Sequence, residues 1–344
     1  MNGPVRGRGN AVPLLYRFSQ RSSLILAGAL AACSDGSDDA GSGTLTVLLE
    51  PEDVIVRGLE AGDSAANVRD GWSVSFEKYV VAIGHVDAHL GTDEDVVAED
   101  DAVHAVDLTQ LPTTGLQLWE LNDLQRGRWE FFFEQAGAAG AKRHESVEQA
   151  DFAEMADNDY TYLIEGKLSK ADGQSCPPSR LAEPGDRESN GEKSGDDPCY
   201  DVSEVTFSFG AEAETVYGPC ETDGLPGFSI AAESRQAMSV SIHGDHIFFN
   251  GFPEGGEAGV TRLAQWLADC DLNLDGTVTR EELEQIEPAQ LPQLDDRFQL
   301  GGSPISPLTN MYEYVRSQLK TQGHVNGEGE CPIDGVEHDH GDTH

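Results

Sequence analysis

Between Thr44 and about Asn250, apolar residues recur at every second position in a series of short stretches: Leu45, Val47 and Leu49; Trp72, Val74 and Phe76; Trp129, Phe131 and Phe133; Tyr160, Tyr162 and Ile164; Val205, Phe207 and Phe209; Met238, Val240 and Ile242. Successive side chains of a β-strand point to opposite faces, so each stretch predicts a strand with one face on a core. Short strands joined by long polar connections predict a mainly β fold, an antiparallel β-sandwich over residues 44–250. The alternation slips between Phe76 and Tyr79, where a β-bulge is expected. From Phe252 the period becomes helical. Leu263, Trp266 and Leu267 share one face, and Leu283 and Ile286 share another. Helices are therefore expected around Thr261 to Cys270, from Arg280, and from about Thr309 to Lys320, with the proline-broken connector "IEPAQLPQLDDRFQLGGSPISP" before the last. Together they predict a small C-terminal α-helical subdomain over 251–322. A Gly-, His- and acid-rich tail over 323–344 is expected to lack structure beyond Cys331. No internal repeat is present.

Between the first two helices lies "DLNLDGTVTREE", residues 271–282. A hard divalent cation takes six to eight oxygens, and here Asp271, Asn273 and Asp275 offer side-chain oxygens, Thr277 its carbonyl, Thr279 a hydroxyl or a bridged water, and Glu282 two carboxylate oxygens. Gly276 falls where the loop must turn sharply, and Val278 is an apolar plug. The stretch resembles an EF-hand at every ligand position, which implies Ca2+ as cofactor. No second such loop exists. A solitary extracellular loop belongs to the weak range of about 10⁻⁴ to 10⁻³ M, which suits a structural brace and not a switch.

The N-terminus reads as a targeting segment. Arg6, Arg8, Arg17 and Arg21 precede an apolar run from Leu24 to Ala32, and no acid occurs before Asp35. This is the layout of a secretory signal peptide over residues 1–32, and the run is too short to span a bilayer. It ends in "LAAC", which resembles the lipobox of bacterial lipoproteins. The resemblance implies cleavage before Cys33, acylation of Cys33 and anchoring in a lipid bilayer, with Ser34 implying the outer membrane where there are two. Residues 33–43 would be a flexible tether. The stretch "HAVDLTQLPTTGLQLWELNDLQRGRWEFFFEQ" resembles β-sandwich domains of uncharacterised bacterial lipoproteins, in keeping with the fold expected above.

Charge narrows the partners. Asp and Glu number 62 against 22 Lys and Arg, giving a formal net charge of −40. Such a chain is repelled by nucleic acid and by anionic lipid surfaces, and it favours solubility and cations. A protein or glycan partner is not named by any residue pattern.

Five cysteines follow Cys33. Cys176 and Cys199 bracket a polar stretch and are expected to pair; Cys270 and Cys331 are the second expected pair, stapling the calcium loop to the C-terminal segment. The histidines form the second informative set. In "GHVDAHL" a strand puts His85, Asp87 and His89 on one face; "IHGDH" adds His243, Asp245 and His246; "GHVNGEGEC" adds His324. Two histidines and a carboxylate converging on one point suit copper or zinc. Strand-end and turn positions, with rings bonded to backbone, are the simpler account of the same residues. His338, His340 and His344 could chelate a metal only loosely, on a tail without a scaffold.

Catalytic motifs are lacking: no GxSxG, HExxH, phosphate loop or GxGxxG following a strand occurs, and no catalytic residue is assigned. The expectation is a non-catalytic calcium-binding cell-envelope lipoprotein. The alternatives are a copper- or zinc-handling protein using His85, His89, His243 and His246, and a carbohydrate-active enzyme working through paired carboxylates.

Overall fold

Eighteen consecutive residues, Ser73–Leu90, form the longest strand, and much of the fold is organised by how that strand changes partners. The structure is a computed structural model describing residues 41–334 other than 92, 179–192, 195–198, 223, 253–258, 292–293 and 295–296. The strands used below are β1 (Gly43–Pro51), β2 (Ser73–Leu90), β3 (Leu116–Leu124), β4 (Gly127–Gln135), β5 (Tyr162–Ser169), β6 (Glu204–Ala211), β7 (Arg235–Ile242), β8 (Thr277–Thr279) and β9 (Gly323–Val325); the helices are α1 (Asp53–Arg57), α2 (Gln149–Asn158), α3 (Gln265–Ala268), α4 (Arg280–Gln285) and α5 (Met311–Leu319).

The first half of β2 pairs antiparallel with β5, and the second half with β4. Register shifts lie between Phe76 and Lys78, where the apolar alternation slips in the sequence, and between Gly84 and Asp87, where His85 takes φ 46°. These irregularities help the large sheet curl. Its main path runs β8–β6–β5–β2–β4, then Thr215–Tyr217 and Ile333–Asp334. The smaller sheet runs β9–β7–β1–β3. Both sheets feed one hydrophobic cluster, in which Leu45, Val47 and Leu49 of β1 join Tyr79, Phe131, Phe133, Phe207 and Val240. The arrangement is sandwich-like and mainly β. Residues Tyr79 through Gly84 are buried on both faces, because α2 and its neighbours cover the outside of β2 with a second cluster of Val80, Ala82, Met155 and Leu163.

Several expectations are corrected. The sheets are mixed, not purely antiparallel: β1 pairs parallel with β7, and β6 pairs parallel with β8. Parallel neighbours need long crossovers, and both pairs join segments far apart in sequence. Residues 251–322 do not form a separate helical subdomain. Thr277, Val278 and Thr279 lie opposite Thr206, Phe207 and Ser208 at the edge of the large sheet, and Trp266, Leu283, Tyr314 and Val315 belong to the same core as the strands. The helix expected over 261–270 is confined to Gln265–Ala268. Structure was not expected beyond Cys331, yet Ile333–Asp334 extends the large sheet, and β9 extends the small one; residues 335–344 lie outside the described residues.

The disulfides are Cys176–Cys199, as expected, and Cys220–Cys331. The expected Cys270–Cys331 bond does not form. Cys270 is fully buried below α3, where its thiol bonds to the Trp266 carbonyl, while the chain near Cys331 runs alongside Cys220 through the Glu221–Glu330 bridge. Cys33 and the tail histidines His338, His340 and His344 lie outside the described residues. Among the described residues no helix is long and apolar enough to cross a membrane.

Candidate metal centre

β7 ends at Ile242, and "HGDHIFF" continues as a 3-10 turn over Gly244–Phe248. Side chains three apart eclipse in such a turn, so His243 and His246 come to one side with ring centroids 5.6 Å apart. Gly244 is required between them: a Cβ there would lie 2.5 Å from Ile55 Cγ1 and 3.3 Å from Tyr79 Cε2. His324 arrives from far along the chain. β9 pairs antiparallel with β7, setting His324 opposite Ser241, and its ring stacks on His243 at 4.0 Å. The three rings are buried, His243 and His246 at 1 % exposure and His324 at 9 %. One ligand nitrogen from each lies within 4.8 Å of the others.

Hydrogen bonds hold two of the three rings in place. The Gly327 carbonyl can only accept, so the His243 contact at 3.0 Å puts a proton on Nε2. Asn326 and Gly327, at φ 50° and 83°, form the turn that presents this carbonyl, which also accepts from Ser241 Oγ. For His246, the Thr321 hydroxyl donates to the Gln318 carbonyl and therefore accepts from Nδ1–H at 2.9 Å. Orienting partners of this kind hold metal-ligating histidines in one tautomer.

Carboxylates surround His243. Glu52, between β1 and α1, sets Oε1 3.9 Å from His243 Nδ1. Glu52, His243 and Asp245 form a second group with ligand atoms within 4.8 Å. Asp245 is fully buried; its Oδ2 receives Arg262 Nε and Nη2, while Oδ1 is buried without a hydrogen bond. Tyr79 donates to Gln322 Oε1 at 2.7 Å, and the Gln322 carbonyl accepts from His243 N. Burial pushes the Tyr79 phenol well above its ordinary range, reinforced by the charges of Asp245 and Glu52, so this hydroxyl stays protonated.

His85, Asp87 and His89 do share the outward face of β2, half-buried between Val86, Ala88 and Leu90. They belong to neither group. His85 faces Asp101 at 4.0 Å across the bulge, and His89 pairs with Asp87 at 3.5 Å and packs on Phe132.

The twelve-residue loop is formed by the φ 56° turn at Leu274 and the φ 87° turn at Gly276. Asp271 Oδ2 accepts from Gly276 N, Asn273 Oδ1 from Asp275 N, and Asp275 Oδ1 from Thr277 N. Glu282 closes back over the loop, Oε1 accepting from Leu272 N and Oε2 from the Thr279 backbone and hydroxyl, a capping box for α4. Asp271 Oδ1 is buried without a hydrogen bond. Burial and the neighbouring Glu282 charge raise the Asp271 carboxyl to about 7, and burial raises Glu282 as well. Two carboxylates facing one interior, one oxygen of them unbonded, fit a bound cation. Cys270, next to Asp271, has its thiol pushed well up by burial and is inert.

The sequence singled out the three histidines and the oxygen-bearing residues of the loop but missed Glu52, Thr321, Gln322 and Gly327, whose parts depend on pairings that span the chain. No family model, curated protein or solved structure matches this chain.

Proposed function

We propose that this is a non-catalytic, exported metal-binding protein. Its three-histidine centre holds a transition metal, copper or zinc, and its twelve-residue loop holds calcium as a brace. The observation that carries the reading is the burial of His243, His246 and His324 together, with one ligand nitrogen of each within 4.8 Å of the others. Neutral imidazoles suit zinc and copper and do not suit calcium, so the two sites are chemically distinct. Asp271, Asn273, Asp275 and Glu282 would hold calcium with the Thr277 carbonyl and Thr279. The ion would supply the positive charge that the Asp271–Glu282 pair lacks, and it would tie α4 to the β8–β6 edge. The basic, apolar N-terminus ending at Cys33 supports export and attachment to a bilayer, and a net charge of −40 argues against nucleic acid.

The test is metal analysis of the full chain purified without a histidine tag, with His338, His340 and His344 replaced by Asn so that the tail takes up no metal. Stoichiometric zinc or copper is expected, lost in His246→Ala/His324→Ala while calcium is retained. A parent protein that takes up neither copper nor zinc overturns the reading.

A further inference from the structure

Phe76 and Tyr79 lie three apart in β2, so an unbroken strand would turn them to opposite faces. The register shift between Phe76 and Lys78 brings both inward, and their rings meet edge to face at 5.0 Å. Beyond the bulge, Tyr79, Val81 and Ile83 face the common core, while Val80 and Ala82 face the outer cluster. Asp107 Oδ1 accepts from Tyr79 N at 3.2 Å and so holds the backbone where the strand is displaced. The bulge thereby aims a fully buried phenol at the end of the small sheet, where the histidines gather.

Tyr79 meets both arms of that centre. A Cβ at Gly244 would lie 3.3 Å from Tyr79 Cε2, so the ring edge supports the turn that carries His243 and His246. The hydroxyl donates to Gln322 Oε1 at 2.7 Å, and the Gln322 carbonyl accepts from His243 N at 3.0 Å. Gln322 follows Thr321, the partner of His246, and stands two residues before His324. It is fully buried and, among the described residues, its Nε2 makes no hydrogen bond. The Tyr79 hydroxyl is therefore what fixes this side chain. We infer that Tyr79 is the positioning residue of the three-histidine centre, acting through Gln322 to hold the Thr321–His324 segment in register with the His243–His246 turn. The inference rests on the transition-metal reading above and adds how the fold sets the spacing of its ligands. The β7–β9 pairing joins the two arms within the small sheet, and Tyr79 ties both to the large one. Tyr162 supplies the contrast. Its ring lies 6.0 Å from that of Tyr79 and is as deeply buried, but no hydrogen bond joins its hydroxyl to either arm.

Zinc affinity is read by chelator competition in the full chain with the tail histidines replaced by Asn, and the geometry of the site by the visible absorption of Co2+. Tyr79→Phe should weaken Zn2+ binding about tenfold, as loss of an outer partner does, and change the shape of the Co2+ spectrum. Gln322→Met, which keeps the length of the side chain and removes the acceptor, should do the same. The double variant should lose no more than Gln322→Met alone, since the two residues act as one link. Tyr162→Phe, which removes an equally buried hydroxyl, should leave affinity and spectrum as in the parent. Parent-like zinc binding in Tyr79→Phe or Gln322→Met, additive losses in the double variant, or an equal loss in Tyr162→Phe would overturn the assignment of Tyr79 while leaving the three-histidine centre standing. A parent protein that binds neither Zn2+ nor Co2+, with the circular dichroism of a folded chain, would overturn both.

Discussion

The two proposed metal sites differ in how their candidate ligands are spread along the chain. The proposed calcium loop would draw every ligand from the twelve residues Asp271 to Glu282, whereas the histidine cluster joins His243 and His246 to His324 and lies beside Glu52. A local loop pays little closure entropy and can half-form before the fold is complete; the distant centre exists only once β1, β7 and β9 are paired. The loop is thus a feature the fold acquires locally, and the centre is a product of the fold. Stability and metal affinity should therefore be coupled tightly at the centre and loosely at the loop.

The largest effect should come from cutting the link that closes the centre. Cys220–Cys331 spans a sequence separation of 111 and pins the segment that carries His324 and the Gly327 carbonyl, whereas Cys176–Cys199 spans 23. Chain-entropy scaling gives roughly 4–5 kcal/mol for the first and about 3 kcal/mol for the second. Denaturant melts of Cys220→Ser/Cys331→Ser and Cys176→Ser/Cys199→Ser should show that order. Only the first pair should also weaken Zn2+ binding. Equal effects on zinc would break the comparison.

Next in size is the loss of a single histidine. His324→Ala should lower zinc affinity by more than the roughly 10–100-fold that loss of an outer partner costs. Thr321→Val, which removes the acceptor for His246 Nδ1–H, should fall within that range. Calorimetric titration orders them.

The calcium effect is smaller. At about 1 mM calcium and a dissociation constant near 10⁻⁴ M, linkage contributes only about 1.4 kcal/mol. Because β8 is the edge of the large sheet, Glu282→Gln or chelation should raise hydrogen exchange at Thr206–Ser208 as well as in the loop. Exchange confined to residues 271–286 would restore a separable helical unit.

The smallest expected effect is on pH. Asp271 sits at about 7 in the calcium-free fold against an ordinary 3.8, so the fold holds that proton more tightly than the unfolded chain. Its contribution is intact below pH 3.8 and is lost as pH rises towards 7. Calcium-free protein should melt a few degrees lower at pH 8 than at pH 5, and calcium should remove most of that difference. A calcium-free melting point that rises over this interval would contradict the assigned direction.

What the sequence made legible follows the same division. The alternation of Trp129, Phe131 and Phe133, the bulge near Phe76 and the ligand spacing of the loop are local patterns, and the structure has strands and a turned loop at those places. The direction of β1 relative to β7 is set by crossovers that leave no local mark, so a mixed sheet was not legible. The helical period after Phe252 described real helices but could not reveal that Val278 completes a sheet edge between them. Cys270 looked available for Cys331 because spacing carries no information on depth. His85 and His89 carried the same residue types as His243 and His246, and only the β7–β9 pairing separates a centre from a surface pair.

The most direct test measures both metals on the same protein. Calcium and zinc are titrated into the full chain, into His246→Ala/His324→Ala and into Glu282→Gln, each with the tail histidines replaced. Zinc should vanish in the histidine variant with calcium retained, and calcium should vanish in Glu282→Gln with zinc retained. A single variant that loses both ions while remaining folded, or a parent protein that binds zinc no more tightly than the histidine variant does, would contradict the existence of two chemically separate sites.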